Sequence, residues 1–202
     1  MLTLGNFFDI LTANNVPHLC RSVRMEREWD IVEVLRHSRH DWLNKLQLIK
    51  GNLDLNRMDR AKAVIDEIVI EAQHETKLSN LHMPLFASLL LKSNWVNPSF
   101  KLEYEVFQDT ESTKIDDVMI TSWTNSFFSC LNKAIEAFQE NHLSITIEPQ
   151  SEGVRFFFDF SGIILKRELI EECLSDQRKP LELEVKEFTE NELSVEIFMP
   201  AL

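Results

Sequence analysis

The chain has 202 residues, enough for one large domain or two small ones, and its 44% apolar content can supply a packed core. A formal net charge of −12 argues against a nucleic-acid surface, which needs an excess of Lys and Arg. No apolar run approaches the roughly 18 residues of a membrane span, and residues 1–24 lack the basic start and apolar centre of a secretory signal.

Residues 1–24 have irregular apolar spacing and a turn-like stretch at Ala13-Asn14-Asn15-Val16-Pro17, which predicts a loosely attached leader outside the fold. A helical hairpin is expected over 25–82. Its first helix runs from about Glu26 to Leu55, Asn56-Arg57-Met58-Asp59 turns the chain, and its second runs from about Asp59 to Leu81. On the second helix Ala61, Val64, Ile65, Ile68, Ala72 and Thr76 share a side. A turn this short makes the helices antiparallel neighbours. Two amphipathic helices cannot hide both apolar stripes from water, so pairing two hairpins into a four-helix bundle, a homodimer, is the economical arrangement.

Composition changes after Pro84, and residues 83–202 read as a second domain. Leu85 to Lys92 is a short apolar helix stopped by Asn97-Pro98, and Phe100, Leu102, Tyr104 and Val106 alternate as a strand. A long helix from about Ile115 to Glu140 would bury Val118, Met119, Trp123, Phe127, Leu131, Ile135 and Phe138. Strands at Leu143–Ile147, Val154–Phe160, Leu181–Phe188 and Leu193–Phe198 follow, with a helix at Lys166–Leu174 among them. The fold class is α+β, with an antiparallel or mixed sheet carrying helices on one face as an α/β sandwich behind the helical hairpin. The cysteines, Cys20, Cys130 and Cys173, show no CxxC spacing and fit reduced, mostly buried thiols of a cytoplasmic protein.

The segment His37 to Gly51, HSRHDWLNKLQLIKG, carries the chemistry. Ile31, Leu35, Ser38, Trp42, Leu46, Ile49 and Leu53 fall within a stripe roughly 80° wide on a helical wheel, and His40 lies about 160° from its centre. His40 therefore faces water. Arg36, Asn44 and Gln47 share its face, and Leu43 lies one turn ahead. An exposed neutral imidazole, with a reference pKa of about 6.5, is a good nucleophile toward phosphorus. Arg36 could balance phosphoryl charge, Asn44 and Gln47 could bond a partner's backbone, and Leu43 could supply apolar contact. Asp41, the next residue, has a minor part in this reading. A metal held by His37 and His40 lacks clear third and fourth ligands, and His74 and His82 read as capping or surface residues of the second helix.

HSRHDWLNKLQLIKGNLDL, continued by the later KLSNL, resembles the sporulation initiation phosphotransferase B family of the bacterial sporulation phosphorelay. The resemblance is close over about residues 30–82 and weak beyond. It implies that His40 is phosphorylated within a dimeric four-helix bundle. It implies transfer from the aspartyl phosphate of one response regulator, through His40, to the aspartate of a second regulator controlling sporulation. Mg²⁺ comes with the regulator, and His37 joins Leu43, Asn44 and Gln47 as partner-facing residues. Leader residues 1–24 have no counterpart in the resemblance.

The second domain has the element order of a histidine-kinase ATP-binding domain in degenerate form. Those kinases hold Mg²⁺ with asparagines in a motif resembling N-L-L-x-N-A. Here Ser129-Cys130-Leu131-Asn132-Lys133-Ala134-Ile135 takes that place, with Ser129 and Lys133 at the asparagine positions. Phosphate loops need glycines, and the chain has four: Gly5, Gly51, Gly153 and Gly162. Asp159-Phe160-Ser161-Gly162-Ile163 looks like a worn glycine box whose aspartate has become a strand-end residue. The expectation is a phosphotransferase with no cofactor of its own. An ATP-dependent sensor histidine kinase core and a non-enzymatic dimeric docking protein for a regulator are the alternatives.

Overall fold

A computed structural model describes residues 29–96, 99–107, 114–137, 139–175 and 179–202. The leader 1–24 and Phe138 lie outside the described residues.

Helix α1 spans Ile31–Asp54. It starts five residues after the expected Glu26 because Asp30 takes the N-cap, its carboxylate accepting the Glu33 N–H at 2.7 Å. At the other end Asn56 adopts φ 55°, the Arg57 N–H reaches the Asn52 carbonyl at 2.8 Å and the Asn56 N–H reaches Leu53 at 2.9 Å. That pair of bonds is a Schellman-type stop, which satisfies the last carbonyls and reverses the chain. Helix α2, Met58–Asn80, follows at once, and Lys45 pairs with Glu71 across the antiparallel hairpin.

Within one chain α1 has no buried residue. Its half-buried line runs through Val34, Ser38, Asp41, Lys45 and Ile49, about 60° round from the centre of the apolar stripe at helical pitch. Ser38 and Ile49 apart, the stripe stays open: Ile31 is 77% and Leu46 54% exposed.

Helix α3 spans Pro84–Val96, with Pro84 at the first helical position, where its missing N–H costs nothing. Strand β1, Lys101–Val106, alternates exposed and covered side chains. Helix α4 spans Asp117–Ala134 and is capped by Asp116, which accepts the Met119 N–H at 2.9 Å. It stops well short of the expected Glu140. Ile135 turns extended and bridges Ile164, while the Ala134 carbonyl accepts from Leu165 and Lys166 at 2.7 and 3.0 Å. Asn141, 2% exposed, holds the following loop by donating to Ser99 and Glu136 carbonyls and accepting from the Ile163 N–H.

Val118, expected inside, is 66% exposed. The buried line of α4 is Ile120, Trp123, Thr124, Phe127, Phe128, Leu131 and Ala134, and Val118 sits about 160° from its centre.

Strands β2 (His142–Gln150), β3 (Gly153–Ser161), β4 (Glu182–Phe188) and β5 (Glu192–Pro200) complete one sheet in the order β1-β2-β3-β5-β4, with helix α5 (Arg167–Ser175) between β3 and β4 in sequence. The β1–β2 pair is parallel and the others are antiparallel. The mixed sheet with helices on one side matches the expected α+β class. Phe86, Trp123, Phe127, Phe156 and Phe158 meet edge-to-face or stacked in the core between the layers. The opposite face is mostly polar, carrying Arg155, Glu196, Lys186 and Glu184 as a ladder of ion pairs, with Phe198 under the Arg155 guanidinium. The edge strand β4 is irregular at Val185/Glu187 and rich in charge, which discourages pairing with another sheet.

Candidate functional site

Helix α1 presents His40 on the side away from its apolar stripe, with 71% of the side chain exposed. Two neighbours approach the same ring nitrogen. Asn44, one turn on, brings Nδ2 to 3.2 Å from His40 Nδ1, and Asp41 brings Oδ1 to 3.4 Å. A carboxylate can only accept, so its contact requires a proton on Nδ1. Both contacts are satisfied together when Nδ1 carries the proton and the Asn44 amide turns its oxygen inward. That tautomer leaves the Nε2 lone pair free to attack.

Asp41 is not the minor neighbour its sequence position suggests. Its second oxygen, Oδ2, accepts the indole N–H of Trp95 at 2.8 Å, from the last turn of α3. The Trp95 ring also stacks on His37, with centroids 5.2 Å apart and planes at 22°. Trp29 completes a cluster of three rings, 5.0 Å from His37 and 5.6 Å from Trp95. His37, expected among the partner-facing residues, is half-buried and turned toward α3 with indoles on its ring. Arg36, Leu43, Asn44 and Gln47 remain exposed beside His40. No ion pair engages Arg36 among the described residues, so the guanidinium is available to an incoming anion.

The sequence does not single out Trp95, whose only signal is an aromatic residue near the end of an apolar helix. His74, expected as a capping or surface residue, accepts the Val106 N–H at 3.2 Å and ties α2 to β1.

A cleft between α4 and α5 is lined by Ser129, Cys130, Lys133, Glu172 and Cys173, among others. Ser129 and Lys133, the residues aligned with the kinase asparagines, do face this cleft, and Asn132 is not part of its lining. Cys130 and Cys173 are half-buried rather than mostly buried. The Cys130 thiol donates to the Leu169 carbonyl at 2.9 Å, and its hydrogen bond with Cys173, together with burial, holds its pKa well above the ordinary thiol range.

Asp159 lies on the opposite face of the sheet, where it accepts from the Ser194 hydroxyl at 2.6 Å. Gly153 and Gly162 sit where the chain packs closely. A Cβ on Gly162 would stand 2.2 Å from Asn141 Oδ1, and no glycine among the described residues has a positive φ. No group of three or more His, Cys, Asp or Glu side chains placed to hold a metal occurs among the described residues. No helix among them is long and apolar enough to cross a membrane.

Two family models divide the chain. One, described as "Sensor_kinase_SpoOB-type, alpha-helical domain", matches residues 24–81, and "Sporulation initiation phospho-transferase B, C-terminal" matches residues 82–200. The chain belongs to the sporulation initiation phosphotransferase B family. With that family it is a phosphotransferase. A family relative, the sporulation initiation phosphotransferase B of Bacillus subtilis (strain 168), is 34% identical over 170 residues, covering 83% of this chain and 88% of the relative.

Solved structures similar to this family member include the catalytic domain of histidine kinase ThkA, at 16% identity, TM-score 0.42, and coverage of 61% of this chain and 92% of that one. A bacterial phosphotransferase is similar at 13% identity, TM-score 0.37, and coverage of 84% and 97%. ThkA in complex with response regulator protein TrrA is similar at 16% identity, TM-score 0.40, and coverage of 84% and 61%. These overlaps are low, and the fold is defined by the chain's own sheet order.

Proposed function

We propose that this phosphotransferase is a phosphorelay intermediate in sporulation signalling, taking a phosphoryl group from one response-regulator receiver onto His40 and handing it to a second. The single observation that carries the reading is an imidazole open to solvent, with Asp41 and Asn44 both gathered at its Nδ1 edge. In the first transfer the Nε2 lone pair forms the N–P bond while the acyl-phosphate P–O bond breaks. The donor aspartate leaves with the bonding pair. The Nδ1 proton stays on the ring, and the positive charge the ring gains lies beside the Asp41 carboxylate. In the second transfer a carboxylate oxygen of the acceptor attacks phosphorus and the N–P pair returns to Nε2.

Such transfers proceed through loose transition states, so positioning and charge balance dominate. Arg36 would face the phosphoryl oxygens, and Leu43, Asn44 and Gln47 would contact the visiting receiver. Mg²⁺ would arrive with that receiver and shield its phosphoryl charge. The open stripe from Ile31 to Leu53 would be covered by a second copy, giving a four-helix bundle with a His40 from each chain, working in the cytoplasm.

The test offers the protein either a receiver phosphorylated on aspartate or labelled ATP. Relay predicts acid-labile, base-stable label from the receiver only, lost in His40→Ala and slowed roughly tenfold in Arg36→Ala, the scale of one charge-assisted contact. Label from ATP would point instead to a kinase core. Receiver binding without label in either arm would leave a docking protein.

A further inference from the structure

Trp95 belongs to α3, and α3 is anchored in the second domain. Phe86, Ala87 and Leu90 are buried in its core, and its first N–H groups are held by Asp117 of α4. Its far end meets α1 at two places that bracket the exposed histidine: ring stacking on His37 and the indole N–H on Asp41. A carboxylate with one oxygen fixed this way has lost most of its rotational freedom. Its other oxygen stays within 3.4 Å of His40 Nδ1. Without the indole, an aspartate on a helix surface would turn to water, and its neighbour imidazole would drift toward the Nε2–H form.

We propose that Trp95 is a positioning residue for His40: its N–H fixes the Asp41 carboxylate, which holds the ring with its proton on Nδ1 and its lone pair on Nε2. The inference rests on His40 being the phosphoryl acceptor, and it adds a link from the second domain to the reactivity of that ring. The indole does not touch the phosphoryl group, so its influence runs wholly through Asp41.

The test uses the full chain with ¹⁵N-labelled histidine. Long-range proton–nitrogen correlation spectra report the His40 tautomer, and labelling by phosphoramidate, a small phosphoryl donor, reports its reactivity without a receiver. In the wild type Nδ1–H predominates. Trp95→Phe keeps the ring but loses the donor, so the balance moves toward Nε2–H. Labelling then slows about five- to tenfold, the scale of one charge-assisted hydrogen bond partly lost.

Asp41→Asn retains an acceptor for the indole but offers an amide N–H to the ring, and it should shift the tautomer the same way. Should Trp95→Phe fail to fold by circular dichroism, Asp41→Asn decides alone. An unchanged tautomer in the folded variants overturns the proposal, and so does a wild-type ring carrying its proton on Nε2. Absence of label on wild-type His40 overturns the acceptor reading instead, and the spectra still decide the role of Trp95.

Discussion

Asp117, in the first turn of α4, reaches across to the start of α3 and accepts the Phe86 N–H at 2.9 Å, while its other oxygen takes the Leu85 N–H at 2.8 Å. One carboxylate thus caps a helix 31 residues earlier in the chain. It also lies in the first turn of its own helix, so its negative charge meets the positive ends of two helix dipoles. α3 in turn carries Trp95 to Asp41, so the cap contributes to where the two parts of the chain meet.

Asp117→Ala should therefore cost about 1–2 kcal/mol, the usual range for a helix cap whose donors are left without a partner. The measurement is a urea titration, where a lower midpoint at unchanged slope is the expected pattern. Asp117→Asn, which keeps an acceptor, should lose less. Equal loss in both variants would mean that charge, and not the hydrogen bonds, holds the start of α3.

The open stripe on α1 makes a prediction about association. Leu46 is 54% exposed in the single chain and belongs to the stripe. Leu46→Lys should shift sedimentation from dimer to monomer, because a buried ammonium without a partner costs several kcal/mol at a packed seam. His40, on the other side of the helix, should still react with phosphoramidate in the monomer. A wild type that sediments as a monomer at micromolar concentration would refute the bundle.

Much of this arrangement is legible in the spacing of apolar residues. The two long helices, the hairpin between them and every strand of the sheet follow from periods of 3.6 and 2, because their apolar residues recur at those periods. Helix ends are less so. The apolar pattern of α4 runs on through Ile135, yet the chain turns extended there and the Ala134 carbonyl is taken by Leu165 and Lys166. That stop depends on a loop from elsewhere in the chain. His40 is legible because exposure on a helix is a local property. Trp95 is not, because its contact with Asp41 spans 54 residues and no local pattern encodes it.

Tyr104 is the only tyrosine of the chain, so its ionisation can be followed alone. Burial raises its pKa first, and the negative charges of Glu75 and Glu71 raise it further. The folded chain therefore keeps this proton at alkaline pH where the unfolded chain, titrating near 10, has released it. The unfolded state binds fewer protons there, so stability falls as pH rises above about 10, and the contribution is fully present below it. The phenolate band should appear only above the ordinary tyrosine range in the native protein. Urea midpoints should decline less steeply with alkaline pH in Tyr104→Phe.

Two glycines should respond to alanine in opposite senses. Gly51 lies exposed in α1, and a Cβ added there would meet nothing within 4 Å. Gly51→Ala should stabilise the helix by about 0.5–1 kcal/mol, since glycine loses more backbone freedom on folding. Gly153 starts β3 opposite Pro200, and a Cβ there would stand 2.2 Å from the Met199 carbonyl oxygen and 2.9 Å from Pro200 Cα. Both are backbone atoms held in the β3–β5 ladder, so they cannot move aside without breaking pairing. Gly153→Ala should cost roughly 1–3 kcal/mol, the range for overpacking. Thermal unfolding of the two variants beside the wild type checks both signs, and a Gly153→Ala protein as stable as the parent would show that the β3–β5 ladder yields at this end.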